Sequence, residues 1–302
     1  MSADAQVSVV VCTRNRCRQA YAKAQWVLAQ KACAEAIFVV DGTEDDTVER
    51  LAELAATDSR LRLLSLPSRS GLPAARNVGI RAATAKWVLL MDDDDIASEG
   101  FLDAMLEVAD EAGASIVGAP WFNLTSGQDR ATFIAAAPRR KGGPALDRPG
   151  FFPDKDWDDC LWFTVNALFR RSVFDEVEFD HGYAGNYYRE DTDFLVSAAR
   201  AGHRVVATSR AYTYLQERVG GGVDRRRKLA YEYWVLRNNW RFLRKHGDWL
   251  RESGYIRGSA REQLALAVRR SRPLLRAAMR RLVRRRPAGN QRTVDAPRAD
   301  AG

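Results

Sequence analysis

The residues of this chain that could do chemistry gather in a few places. Met91-Asp92-Asp93-Asp94-Asp95-Ile96 sets four carboxylates side by side directly after the apolar run Trp87 to Met91. Adjacent carboxylates repel, and a protein accepts that cost most readily where a divalent cation sits among them. Hard oxygen ligands suit Mg²⁺ or Mn²⁺ and leave coordination positions open for phosphate oxygens. The plainer reading is an acidic surface turn in which Ser98 or Asp95 caps a following helix. A second group, Glu190-Asp191-Thr192-Asp193-Phe194, stands where the pattern predicts a helix over Thr192 to Ala201. A carboxylate there can take a proton from an attacking hydroxyl. The same acids also suit the first turn of any helix, where the dipole favours negative charge. Thr13-Arg14-Asn15-Arg16 and Asp41-Gly42 complete the set, each at the end of an apolar run.

The elements that must position these residues read as an α/β fold. Val7 to Cys12, Ala36 to Val40, Leu61 to Leu66 and Trp87 to Met91 are short apolar runs of the kind that form buried parallel strands. Helical stretches over Gln19 to Ala32, Asp46 to Thr57 and Arg76 to Ala83 separate them, so the first half is built of βαβ units with helices on both faces of a mainly parallel, Rossmann-like sheet. Ligands of such sheets bind at the carboxyl ends of the strands, where Thr13 to Arg16, Asp41 and Asp92 to Asp95 stand. No GxGxxG follows the first run and no GxxxxGK[ST] occurs, so a glycine-rich loop does not grip phosphates here. A metal held by carboxylates would neutralise them instead.

From about Ser115 the pattern becomes irregular, with a turn-rich stretch from Pro138 to Pro153. This predicts a smaller antiparallel extension carrying a variable pocket. Trp121, Trp157, Trp162 and Phe163 read either as a sugar-stacking platform or as core. Gln216-Glu217-Arg218-Val219, before the Gly220-Gly221-Gly222 triplet, reads either as a lid whose Arg218 closes on a diphosphate or as a plain connection. A long helix over Arg225 to Lys245 and a basic tail follow. The expected organisation is a catalytic domain over 1–215, divided into a nucleotide-binding half (1–114) and an acceptor-binding half (115–215). A lid and helical region (216–268) and a basic segment with a disordered tail (269–302) complete it.

The charge is uneven. Of the net +8, nine arginines between Arg269 and Arg286 supply more than all of it, since 8 − 9 leaves −1 for the remainder. A nucleic-acid footprint on the main body therefore has no support, and no nucleic-acid partner is expected. Cys12, Cys17, Cys33 and Cys160 form no CxxC pair, and His181, His203 and His246 lack zinc spacing. No apolar stretch is long enough to span a bilayer. Leu274, Leu275, Ala278 and Leu282 recur among the arginines at helical spacing, with Pro273 shortening that helix at its start. This predicts a basic amphipathic helix that attaches to an anionic membrane surface; a solvated tail is the alternative. The expected location is cytoplasmic and peripheral on the inner face of the cell membrane.

The ordered motifs resemble the signature of family 2 glycosyltransferases with the GT-A fold. They are Val7-Ser8-Val9-Val10-Val11-Cys12-Thr13-Arg14-Asn15-Arg16, Val40-Asp41-Gly42-Thr43, Gly71-Leu72-Pro73-Ala74-Ala75-Arg76-Asn77-Val78-Gly79-Ile80, the aspartate run and Glu190-Asp191-Thr192-Asp193-Phe194. The resemblance implies a single-addition, inverting transferase, because the Gln-x-x-Arg-Trp of the processive branch is missing. It implies that Asp41 holds the nucleotide base, with Thr13 and Arg14 beside it and Arg76 reaching base or diphosphate. Asp92 and Asp94 become the DxD acids on ribose and metal, flanked by Asp93. Asp191 becomes the general base and Glu190 its positioning neighbour. The implied donor is a UDP-, dTDP- or GDP-sugar, and the acceptor a saccharide, lipid-linked or small-molecule hydroxyl. Val40 and Thr43 replace the family's usual Asp and Ser around Asp41-Gly42. A nucleotidyltransferase of related fold, which would want a basic glycine-rich loop after the first strand, and a nucleic-acid-binding protein acting through the tail are the rivals.

Overall fold

A computed structural model of the chain describes residues 7–124, 128–140, 152–161, 163–164, 166–215 and 228–284. The β-branched run Val7–Thr13 forms strand β1, buried throughout except at half-buried Cys12. Helix α1 (Cys17–Leu28), β2 (Cys33–Asp41), α2 (Thr47–Ala55), β3 (Leu61–Leu66), α3 (Leu72–Ala82) and β4 (Trp87–Asp92) follow in strict alternation. Next come β5 (Ile96–Ala97), α4 (Phe101–Glu111), β6 (Ile116–Gly118), β7 (Trp121–Asn123), α5 (Arg130–Ala135), β8 (Arg139–Arg140), β9 (Phe152–Pro153) and β10 (Trp157–Asp159). Strand β11 (Ala167–Arg170) leads through a 3₁₀ turn to α6 (Glu190–Arg200), β12 (Val205–Thr208), β13 (Thr213–Leu215), α7 (Lys228–Glu252) and α8 (Ser259–Arg284).

One eight-stranded sheet runs in the order β10-β12-β6-β11-β4-β1-β2-β3. Strand β1 is central and pairs in parallel with β2 (Val9 opposite Ala36) and β4 (Val9 opposite Leu89). Period-two alternation sends its side chains to two cores. Val10, with Ile37, Val39, Val88 and Leu90, packs under α3, α6 and α7. Val7, Val9 and Val11, with Phe38, Val40, Leu89 and Met91, pack under α1, α2 and α4. Each such side chain contributes about 1.5–3 kcal/mol over leaving it in water, which is why a doubly covered sheet reads as near-continuous apolar runs.

The second half supplies the expected antiparallel pairings and a smaller sheet, with some of the pairings inside the main sheet. Strand β11 is antiparallel to both β4 and β6, but β12 then pairs in parallel with β6, so these strands continue the main sheet instead of forming a separate one. The small sheet β5-β13-β7 is itself mixed. Neither Ser98 nor Asp95 caps a helix: α4 starts at Phe101 after left-handed Gly100, Ser98 Oγ accepts from the Tyr212 amide and Asp95 is buried. Helix α3 begins at Leu72 instead of Arg76 because Pro73 suits a first turn, and α6 begins at Glu190. Helix α8 starts at Ser259 and continues through Pro273, so the proline does not mark its beginning.

Candidate active site

The acidic run leaves the carboxyl end of β4, and its carboxylates separate into two inward and two outward. Asp93 and Asp95 are buried; Asp92 and Asp94 keep 41% and 19% of their side chains exposed. Thr13 Oγ1 donates to Asp93 Oδ2 at 2.6 Å, and Arg16 spans Asp93 and Asp94 at 2.5 and 2.8 Å. Asp95 accepts from the Trp121 indole at 2.7 Å and from the Asn166 amide, which also donates to Thr213 Oγ1 at 3.1 Å. The Asn166 carbonyl in turn accepts from the Asp92 backbone amide at 3.0 Å, and the Lys23 ammonium donates to the Asp95 carbonyl oxygen from beneath. Burial raises the carboxyls of Asp93, to about 6, and Asp95, to about 7, and it lowers Lys23 to about 8. Asp94 is raised by burial and then by the charge of Asp92.

Asp41, at the end of β2, anchors the loop ahead of α3. One oxygen accepts from the Ser70 amide (2.6 Å) and hydroxyl (2.8 Å), the other from the Gly71 amide (3.0 Å). Gly42 takes φ +63°, and a Cβ there would stand 2.4 Å from the Arg69 nitrogen, so only glycine lets β2 turn this close to the loop. Arg14 Nε donates to the Gly42 carbonyl at 3.1 Å. Tyr187, itself at φ +55°, lies over Gly71 and accepts from Arg69 at 3.2 Å, joining the turn ahead of α6 to the β3–α3 loop.

The first turn of α6 faces the same cleft. The buried Arg76 guanidinium forms an ion pair with Glu190 through one nitrogen and with Asp92 through the other, at 3.1 Å. Glu190 Oε2 is buried without a hydrogen-bond partner, and burial, against the pull of Arg76, lifts this carboxyl to about 7. Asp191 is half-buried, accepts from the Thr192 amide at 2.6 Å, and is raised by burial. Asp193 points the other way. It accepts from Tyr183 Oη (2.9 Å), Lys245 Nζ (2.6 Å) and His246 Nε2 (2.9 Å), fastening α6 to α7. Arg200 donates to His246 Nδ1 at 3.1 Å, which fixes the tautomer that donates to Asp193.

The sequence model described as Glycosyl transferase family 2 matches residues 8–178. The chain belongs to this family. Among similar curated proteins, the uncharacterized glycosyltransferase EpsJ of Bacillus subtilis is 30% identical over 57% of this chain and 49% of its own length. The succinoglycan biosynthesis protein ExoO of Rhizobium meliloti is 36% identical over 36% of this chain and 31% of its own. The chain thus spans half or less of the length of these relatives. Crystal structures of S. aureus TarS share the fold at a TM-score of 0.53: the longer chain is 18% identical, over 79% of this chain and 40% of its own, and TarS 1-349 is 17% identical, over 83% and 74%. The mainly parallel sheet flanked by helices, with its small second sheet, is the GT-A fold.

Within this family 2 fold, the structure brings Thr13, Arg76, Asp92, Asp93, Asp94, Glu190 and Asp191 to one end of the central strands, with Asp41 and Arg14 at the adjoining loop. Arg218 lies outside the described residues, as does Trp162. The aromatic platform does not assemble from the others: Trp121 is tied to Asp95, Trp157 packs with the sheet core and Phe163 lies over Gly118. Among the described residues no three His, Cys, Asp or Glu side chains converge as a metal cage. Asp92 and Asp94 still fit a divalent ion as a pair of outward hard-oxygen ligands, if the ligand itself supplies further oxygens. Sequence reasoning named Arg16 only as part of the cluster after the first strand and missed Lys23 and Asn166. Asn166 alone left a visible signal, as a polar residue inside the apolar run Phe163 to Phe169.

Proposed function

We propose that the chain is an inverting glycosyltransferase that moves a sugar from a nucleotide-sugar to an acceptor hydroxyl by single displacement. The observation that carries this reading is Arg76, whose guanidinium ties Asp92 on the donor side to Glu190 beside Asp191 on the acceptor side. Asp191 takes the acceptor O–H proton as the acceptor oxygen bonds to the anomeric carbon; the bond from that carbon to the diphosphate breaks, and its electron pair leaves on the phosphate oxygen. Glu190 positions Arg76 and the acceptor. Held by Asp92 and Asp94, Mg²⁺ or Mn²⁺ would neutralise the charge on the departing diphosphate. Arg16 already occupies one Asp94 oxygen, so a bound ion would share that carboxylate with the arginine. Asp41, Thr13 and Arg14 shape the nucleoside side.

The acceptor is a saccharide, lipid-linked or small-molecule hydroxyl, received by residues 115–215 against a donor held by 1–114. Segment 269–286 gives the protein affinity for an anionic membrane surface from the cytoplasmic side. No helix among the described residues is long and apolar enough to cross a membrane. A thermal-shift panel of UDP-, dTDP- and GDP-sugars, each with and without Mn²⁺, tests the reading. One nucleotide class should stabilise the protein in a metal-dependent way; no response to any of them overturns it.

A further inference from the structure

Among the described residues, five of the six exposed large apolar side chains lie on the last two helices. Leu229 (78% exposed), Tyr233 and Trp240 lie on α7, and Leu264 and Val268 on α8. Asn239 donates to Gln263 at 2.7 Å, Gln263 to the Leu236 carbonyl at 3.0 Å, and Arg270 pairs with Glu232 at 2.7 Å. The two helices are therefore antiparallel neighbours that meet along 232, 236 and 239 on one and 263 and 270 on the other. Val235, Asn238, Phe242 and His246 turn inward, and Arg189, Asn239, Leu243 and Leu266 line a cavity between α7, α8 and the start of α6. At 100° per residue, Leu229, Tyr233 and Trp240 form one stripe, and Leu264 and Val268 another. Both stripes lie on the side of the contact line away from the body, so they share one outward face of the helix pair.

We propose that this outward face of α7 and α8 is a docking surface for an anionic lipid bilayer. The assignment builds on the membrane affinity proposed for 269–286 but gives the apolar contact to other residues, 229–268. Three observations favour a bilayer. Exposed Arg237, Arg244 and Arg261 border the stripes, whereas Glu232 is spent on Arg270 and Asp248 pairs with Arg251. Tyr and Trp carry a polar tip on an apolar body, which suits the headgroup boundary. Between Ser259 and Arg284 the only acid is Glu262. A second copy of the chain fits poorly, because a two-fold contact would set this face against itself and bring arginines onto arginines. Apolar side chains entering the boundary, with arginines on the anionic headgroups, make a favourable combination.

Co-sedimentation of the full chain with phosphatidylcholine vesicles, with or without phosphatidylglycerol, tests the assignment. The unaltered protein should pellet with the anionic vesicles alone, and the variant L229S/Y233S/L264S/V268S should bind them roughly tenfold or more weakly. These positions are exposed, so nucleotide-sugar stabilisation should be unchanged; that second readout separates failure of docking from failure of the transferase reading. The proposal is overturned if the unaltered protein binds neither vesicle or both equally. It is overturned too if the four serines leave binding intact while R272E/R276E/R280E removes it. A dimer in light scattering that the serines split would assign the face to a second copy instead.

Discussion

Arg76 and Glu190 form a buried ion pair across 114 residues of chain, linking the second turn of α3 to the first residue of α6. Neither group is neutralised by water, so each is costly without the other. Asp92, on the remaining guanidinium nitrogen, is partly solvated and screens itself better.

Arg76→Met should therefore destabilise the fold by about 3 kcal/mol, the usual order for removing one partner of a buried pair. The loss should depend on pH with a definite sign. Glu190 titrates near 7 in the fold, above the ordinary value of a free glutamate, so stability falls as pH rises towards 7. Without Arg76, the group that lowers it, this carboxyl rises further and the penalty extends to higher pH. Urea denaturation at pH 6 and pH 8.5 should give the larger difference from the unaltered protein at pH 8.5; a pH-independent difference would mean that Glu190 is not what Arg76 neutralises.

Donor binding and chemistry should separate at Asp94 and Asp191. Asp94→Ala should abolish the metal-dependent part of donor affinity measured by calorimetry. Asp191→Asn should leave donor affinity within about twofold yet lower kcat by about 10²–10⁴-fold, the range for loss of a general base. An Asp191→Asn protein with full kcat would end the assignment of that residue.

The strands were legible because a strand buried on both faces is apolar at nearly every position: Trp87 to Met91 is apolar throughout, and Val7 to Cys12 is broken only by Ser8, whose buried hydroxyl donates to Glu35. The aspartate run was legible for the complementary reason: four acids at the end of such a strand cannot be apolar core, and the two that are buried, Asp93 and Asp95, are held there by hydrogen bonds. What holds those acids was not. Arg16 and Lys23 reach Asp93 and Asp95 from 77 and 72 positions away, and spacing carries no trace of such pairings. Strand β11 was equally hidden, since its insertion between β4 and β6 depends on sheet edges left open by other strands. Asp41 was read as a base-binding acid, and the hydrogen bonds it accepts from Ser70 and Gly71 give it a second task in ordering the loop.

That task predicts the effect of Gly42→Ala. A residue with a Cβ at φ +63° costs about 1–2 kcal/mol, and the added carbon would meet the Arg69 backbone at 2.4 Å. The 68–71 loop must shift, taking the partners of Asp41 with it. Donor affinity should fall at least about tenfold, at a penalty near that strain figure, with far-ultraviolet dichroism unchanged. Unaltered donor affinity would place the nucleoside away from this loop.

Asp193 offers a test of how firmly α6 is held. Its carboxylate faces Tyr183, Lys245 and His246, with Arg200 behind the histidine. Burial opposes its ionisation, but the His246 hydrogen bond and the Lys245 charge outweigh that and hold the carboxyl below its ordinary range. A depressed carboxyl contributes stability that is complete above the unfolded value of about 4 and is lost as pH falls through the folded one. Asp193→Asn should thus cost about 3 kcal/mol at pH 7 and progressively less below pH 4, so melting curves of the two proteins should converge on acidification. Because Asp191 sits on the same helical turn, the variant should also lose kcat while keeping donor affinity, and Asp193→Glu should recover part of it. A variant that lost stability but kept full kcat would show that the brace between α6 and α7 supports the fold without setting the position of the base.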